Sequence, residues 1–129
     1  MQKLPFLKFK QLAVAQESVP AGRYAYEVFQ KLSITELIKS RLVTGDKVRN
    51  VLSWVAKDES DLGVVFATDA KVEPKVKIIL PIDAKLHSEI IYPLSIVKKS
   101  DAVKAFYDYC QSSEAKAIFI AAGFNWIRK

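Results

Sequence analysis

Apolar residues return along this chain with two different periods. Leu12, Ala13, Val14 and Ala15 form a short unbroken apolar run, the pattern of a buried strand. After Ser18 the spacing changes. Ala21, Tyr24, Ala25, Val28, Phe29 and Leu32 recur at the intervals of one helix face, so a helix is predicted to begin at Pro20. Proline is at no disadvantage there, because first-turn N–H groups have no helical partner. A second helix is predicted after Ser33. Ser33 and Glu36 have the spacing of a capping box, and Ile34, Leu37 and Ile38 supply an apolar side. Thr44-Gly45-Asp46 reads as a turn with Asp46 as N-cap, followed by an amphipathic helix through Val48, Val51, Leu52 and Val55. Lys57 to Asp61 is a polar break.

Leu62 to Ala67 is short, continuous and apolar, which predicts a central strand buried on both faces. Val76 to Leu80 and Ile90 to Val97 are predicted as two further strands. Pro93 places the latter at an edge or in a crossover between lobes. Ser100 or Asp101 starts another helix, with Val103, Phe106, Tyr107 and Cys110 facing inward. A last helix begins near Ser112-Ser113, carries Ala115, Ile118, Phe119 and Ala122, and stops at Gly123. The apolar tail Phe124-Asn125-Trp126-Ile127 is expected to dock. Strands alternating with helices predict an α/β fold with a mainly parallel sheet flanked by helices.

Composition narrows the function classes. The 129 residues suffice for one domain with a core, and half of them are hydrophobic. No apolar run is long enough to span a bilayer, and the start MQKLPFLKFKQL lacks the uninterrupted apolar core of a signal peptide. Cys110 is the one cysteine, so no internal disulfide forms; its helical apolar context reads as a buried structural thiol. His87 is the one histidine, which argues against a Cys/His metal site or a histidine-based triad. The net charge of +6 suits anions in general. The basic residues are scattered, with no arginine-rich block, so nucleic acid is not an expected partner.

No catalytic constellation stands out. Dinucleotide, Walker, nucleophile-elbow and zincin motifs are all missing, and an enzyme is not expected. Asp58, Glu59 and Asp61 read as a solvated turn, Asp69 as a cap of the turn Thr68-Asp69-Ala70, and Trp54 and Trp126 as core or interface. What remains is geometric. Two helix N-termini, near Ala21 and near Lys47-Val48, follow loops expected at one edge of the sheet. Free N–H groups there, with about half a positive charge per helix, can hold a tetrahedral oxyanion without a charged side chain.

Five blocks in order, SVPAGRYAYEVFQKL, VTGDKVRNVLSWV, DLGVVFATDA, IIYPLSIVKKS and AVKAFYDYCQSSEAKAIFIAAGF, resemble the periplasmic molybdate-binding proteins. These are the receptors of molybdate and tungstate ABC transporters. The resemblance runs from about Gln11 to Phe124. It implies a periplasmic-binding-protein-like lobe over residues 7–92. Residues 93–129 would then be a C-terminal helical segment that normally returns to the first lobe. It implies that Ala21 and Val48 donate backbone N–H groups to the oxyanion. The family's third contact from this half is a tyrosine hydroxyl. The matching position is Phe66, which has none. The family's first lobe, signal peptide and two serine contacts have no counterpart here, so the chain is expected to be an excised segment, a truncated product or a separately encoded half. The expected ligand is molybdate or tungstate, with sulfate second, and no cofactor. The expected partner is the transporter's membrane permease, in a periplasmic setting. Unburied apolar residues after Pro93 predict a homodimer through the C-terminal helices. The alternative is a self-associating structural module with little ligand affinity.

Overall fold

The computed structural model describes residues 8–127. Three parallel strands, β1 (Leu12–Ala15), β2 (Leu42–Gly45) and β3 (Leu62–Gly63), lie in the order β2-β1-β3. Leu12 faces Leu42 on one side and Leu62 on the other. All four residues of β1 are buried. Their alternation feeds two cores. Leu12 and Val14 join Ala25, Phe29 and Ile38, whereas Ala13 and Ala15 join Ala21 and Val51. A strand covered on both faces needs apolar residues at every position, which explains the unbroken run.

The helices are α1 (Pro20–Lys31), α2 (Thr35–Ile38), α3 (Val48–Ala56), α4 (Ala67–Val72), α5 (Asp101–Cys110) and α6 (Ser113–Ala121). Short 3-10 turns cover Lys39–Arg41 and Ala84–Leu86. The parallel sheet flanked by helices is the expected fold class. Contacts divide the chain between Glu89 and Ile90 into two compact units. The expected lobe start at Leu7 lies outside the described residues.

Several local expectations are corrected. The central strand is β1, not Leu62 to Ala67. β3 is an edge strand of two residues, and the ladder continues only through Val64 N–H to Ala13 O at 3.0 Å. Val76 to Leu80 and Ile90 to Val97 are extended but form no strand. An extended segment becomes a strand only with a ladder partner, and the described sheet ends at β3. Ile78, Ile79, Leu80 and Val97 accordingly remain exposed.

The capping box at Ser33 does not form, because Ser33 closes the preceding helix instead. Its φ is 56°, Ser33 N–H bonds Gln30 O, and Ile34 N–H bonds Phe29 O. That is the Schellman closure, and Ile34 packs on the cluster containing Phe29. Asp58 closes α3 the same way, with φ 59° and Glu59 N–H on Trp54 O. Gly123 closes α6, with φ 99° and Phe124 N–H on Phe119 O.

In the second unit the tail packs as aromatic pairs. Phe124 meets Tyr92 at 5.6 Å and Phe119 at 6.2 Å, and Trp126 meets Phe119 at 5.9 Å, between ring centroids. The inward face predicted for α5 is not enclosed. Phe106 is 64% exposed, Val103 is exposed, and Cys110 is only half-buried. Of the residues in α5 and α6, Ala115 alone is buried. Two short helices have too little surface to surround large side chains.

Candidate functional site

In a parallel sheet every strand ends at the same edge. Here α1 follows β1, α3 follows β2 and α4 follows β3, so three helix starts gather at that edge. In the order β2-β1-β3 the chain passes from β1 to β2 on one side and then crosses back to β3 on the other, the kind of reversal, or switch point, at which open α/β sheets bind ligands. Gln16 N–H bonds Gly45 O at 2.8 Å, which holds the ends of β1 and β2 in register. Gly22 brings α1 hard against β1. A Cβ on it would stand 2.0 Å from Gln16 O and 2.3 Å from Ala15 O. The VPAG run therefore has a mechanical meaning: proline starts the helix and glycine lets its first turn press on the strand end.

The two helix starts are open. Val19 and Lys47, the N-cap residues of α1 and α3, are extended, and neither side chain bonds the helix. Neither first turn contains an acid. Among the described residues, no backbone acceptor reaches the N–H of Ala21 or Val48. Asp46, expected to cap α3, does not. Its Oδ1 accepts from Asn50 Nδ2, a first-turn side chain, and takes no backbone N–H of the helix. Helices α5 and α6 contrast with these. Ser100 accepts from Val103 N–H and Ser112 from Ala115 N–H, each at 3.2 Å, with Asp101 and Glu114 in the first turns. The uncapped starts retain the positive end of the helix dipole.

One core gathers the three candidate residues. Ala21 is a buried member of the cluster with Ala13, Ala15 and Val51, and Val48 and Phe66 pack against it. Phe66 is the N-cap of α4, and its carbonyl accepts from Asp69 N–H at 3.0 Å and Ala70 N–H at 3.2 Å. The Phe66 ring meets the edge of Tyr24, with centroids 6.4 Å apart. Tyr24 in turn lies 5.9 Å from the His87 ring and under the Arg23 guanidinium at 5.3 Å. Among the described residues, no group of three metal-ligating side chains is placed to hold an ion.

Two roles were missed. Asp69 is not a simple turn cap. It is 8% exposed in the first turn of α4, and its Oδ1 pairs with Arg49 Nη2 at 3.1 Å. An arginine directly after Val48 and an aspartate just past Phe66 were the available signal, but no local spacing links them. Asp61 is likewise more than part of a solvated turn. It accepts from the N–H groups of Gln11 and Lys10, which hold its carboxyl below the usual range and fasten the β3 turn to the approach of β1. Trp54 packs against the same cluster as Ala21, as a core residue should.

The fold has counterparts among known proteins. A "Putative ABC transporter substrate-binding lipoprotein YvgL" of Bacillus subtilis is 43% identical, over 94% of this chain and 50% of its own length. The "Molybdate-binding protein ModA" of Haemophilus influenzae is 38% identical, over 92% of this chain and 48% of its own. A solved structure, "substrate binding domain of putative molybdenum ABC transporter from Clostridium difficile", superposes with a TM-score of 0.80 at 36% identity. It covers 95% of this chain and 56% of that one. The chain thus spans about half the length of the curated relatives it matches. The family described as "Bacterial extracellular solute-binding protein" matches residues 3–125, and the chain belongs to that family.

Proposed function

We propose that this chain is part of the substrate-binding component of a molybdate or tungstate ABC transporter, working outside the cytoplasmic membrane beside the transporter's permease. It binds rather than catalyses. The ligand is a tetrahedral dianion held by the N–H groups of Ala21 and Val48, with sulfate as the weaker competitor. The observation that carries this reading is the contrast in capping. The two helix starts at the switch point have neither cap nor acid, while α5 and α6 have both. The names of the relatives point to the same ligand class.

Two backbone donors at an open edge predict millimolar affinity at best, about −4 kcal/mol. The test is a titration of the chain with sodium molybdate, followed by amide NMR. The Ala21 and Val48 signals should move together with one dissociation constant. If neither moves while other amides saturate, the ligand sits elsewhere. Phe66→Tyr should strengthen binding by about 1.5–3 kcal/mol, the range for a hydrogen bond to a charged group. An unchanged constant means the ring at position 66 does not face the anion.

Self-association is the second reading, favoured by the exposure of Phe106, Tyr109, Ile118 and Ile120 on α5 and α6. Contiguous apolar patches rarely stay exposed on soluble monomers. A second copy of the chain, docked through these helices, would cover them. Size exclusion with light scattering at low micromolar concentration checks this: a homodimer is expected, and a stable monomer rejects it.

A further inference from the structure

The apolar segment between α4 and the Ala84–Leu86 turn has a free backbone edge. Residues 76–82 belong to no helix or strand, and Ile78, Ile79, Leu80 and Ile82 are all exposed. Among the described residues, no backbone bond uses the N–H of Lys77, Ile78, Ile79, Leu80 or Ile82. Val76 N–H is taken by Glu73 O at 3.2 Å. The residues alternate. Val76, Ile78, Leu80 and Ile82 share one parity and are all apolar, whereas Lys75, Lys77, Ile79, Pro81 and Asp83 share the other. In an extended chain the N–H and C=O groups of alternate residues lie along the same edge. One edge can therefore pair through Ile78, Leu80 and Ile82, while Pro81 interrupts the other.

We infer that this edge pairs antiparallel with the same segment of a second copy of the chain, across a twofold axis at Ile79. The segment is its own complement. In that register Ile78 stands opposite the partner's Leu80, Val76 opposite the partner's Ile82, and Lys77 opposite the partner's Pro81. Lys75, at the end of the preceding turn, comes to the partner's Asp83. The Asp83 Oδ1 accepts from Lys85 N–H, which leaves Oδ2 for that ion pair. Opposite charges thus close both ends, and no like charges face each other. The donors match as well. Ile78 and the partner's Leu80 exchange both backbone bonds, and Ile82 N–H meets the partner's Val76 O. Val76 N–H, already engaged within the chain, is not called on. Adding a strand to an unpaired edge gives affinity through the main chain, and a twofold interface requires this kind of self-complementarity. The surface lies within the first unit, so the inference depends neither on the oxyanion reading nor on association through α5 and α6.

The test uses the whole chain, with the dimer dissociation constant measured by sedimentation up to about millimolar concentration. Mixed labelled and unlabelled copies should give intermolecular NMR contacts between Ile78 and the partner's Leu80. Leu80→Pro removes an N–H from the pairing edge of each copy and should weaken the dimer about tenfold, the loss of a net hydrogen bond on each side. Lys77→Pro removes an N–H from the other edge and should leave the dimer intact. Lys75→Glu alone and Asp83→Lys alone each set like charges at both ends, so each should dimerise less well. Mixed one to one, these two variants should recover the wild-type affinity, because the mixed dimer again has opposite charges at both ends. A mixture no tighter than its components overturns the inference, as do two proline variants that behave alike. The latter is the result expected if α5 and α6 alone hold the copies together. A chain whose amides over residues 77–82 stay unpaired at millimolar concentration also overturns it, and leaves the edge to a strand of another protein.

Discussion

The helices of the first unit and those of the second begin differently. Helices α5 and α6 start as a helix in water should. A serine hydroxyl takes one orphan N–H, and an acid faces the dipole. Helices α1 and α3 start on Val19 and Lys47, with nothing taking those N–H groups. Each missing cap forgoes about 1 kcal/mol of helix stability. The same chain uses serine caps where no ligand is proposed and omits them at the sheet edge. The difference teaches where to look: among the described α-helices, only α1 and α3 begin with neither a side-chain cap nor an acid in the first turn, and that vacancy is more informative than any single side chain at this site.

The largest effect should come from breaking the approach of α1 to its strand. Gly22→Ala places a Cβ into the backbone carbonyls of Ala15 and Gln16, which cannot swing aside as a side chain would. Either α1 moves off the edge or β1 distorts. A loss of about 3–5 kcal/mol is expected in urea denaturation followed by far-UV circular dichroism, as for a severe core overpacking. A loss below about 1 kcal/mol, within the range of ordinary substitutions, would mean the first turn of α1 is not seated as described.

Next comes an exchange of the two kinds of helix start. Lys47 is exposed and extended, with φ −141° and ψ 148°, the backbone an N-cap needs. Lys47→Asp should cap α3 and stabilise the chain by about 1 kcal/mol. It should also abolish the molybdate-induced shift of the Val48 amide, because a carboxylate then fills the anion's place. Ser112→Ala should cost about 0.5–2 kcal/mol through loss of its cap on Ala115 N–H and leave anion titration untouched. Thermal melts and the same NMR titration check both. If Lys47→Asp stabilised the chain without affecting binding, the α3 start would be uncapped for reasons unrelated to a ligand.

These differences explain what the sequence could disclose. The run Leu12 to Ala15 and the helical spacing from Ala21 to Leu32 were legible because each is a local period with one packing solution. The helix starts at Ala21 and Val48 were legible from proline and from the turn before Val48. Leu62 to Ala67 misled because burial on both faces and burial at an edge look alike in one dimension; only the order β2-β1-β3 tells them apart. Val76 to Leu80 misled because apolar residues signal a need for burial without naming a partner. The Arg49–Asp69 pair was illegible because its members are held by different helices and meet only after the sheet has formed.

The helix C-termini sharpen the comparison by failing to differ. α1, α3 and α6 close with the same pair of bonds, around Ser33, Asp58 and Gly123. Only the last uses the residue that adopts positive φ without strain. Ser33→Gly should therefore stabilise the first unit by about 1 kcal/mol, and Gly123→Ala should destabilise the second by about 1–2 kcal/mol. Thermal denaturation monitored residue by residue, through amide signals on each side of Glu89, separates the two. A destabilising Ser33→Gly would show that the serine side chain has a role of its own.

The smallest effect concerns Glu27, a carboxylate used on a loop amide instead of a helix start. Its Oε2 accepts from Ser88 N–H and its Oε1 from Ser88 Oγ at 2.8 Å. Lys31 Nζ donates to Lys85 O at 3.0 Å one turn further along α1. Together they strap residues 85–88 onto the helix just before the chain passes into the second unit. The Ser88 backbone N–H, then its hydroxyl, then the charges of Lys31 and Arg23 hold the Glu27 carboxyl below the usual carboxylate range. The sign follows from linkage. A carboxyl whose pKa is lower folded than unfolded stabilises the strap above the unfolded value and loses that contribution as pH falls through the folded one. Glu27 is only half-buried, so the change should be local. The Ser88 amide should lose hydrogen-exchange protection on acidification below the ordinary glutamate range, while amides of β1 keep theirs. Glu27→Gln should show the weaker protection at every pH. If Ser88 protection did not change on acidification, the strap would not depend on the Glu27 charge.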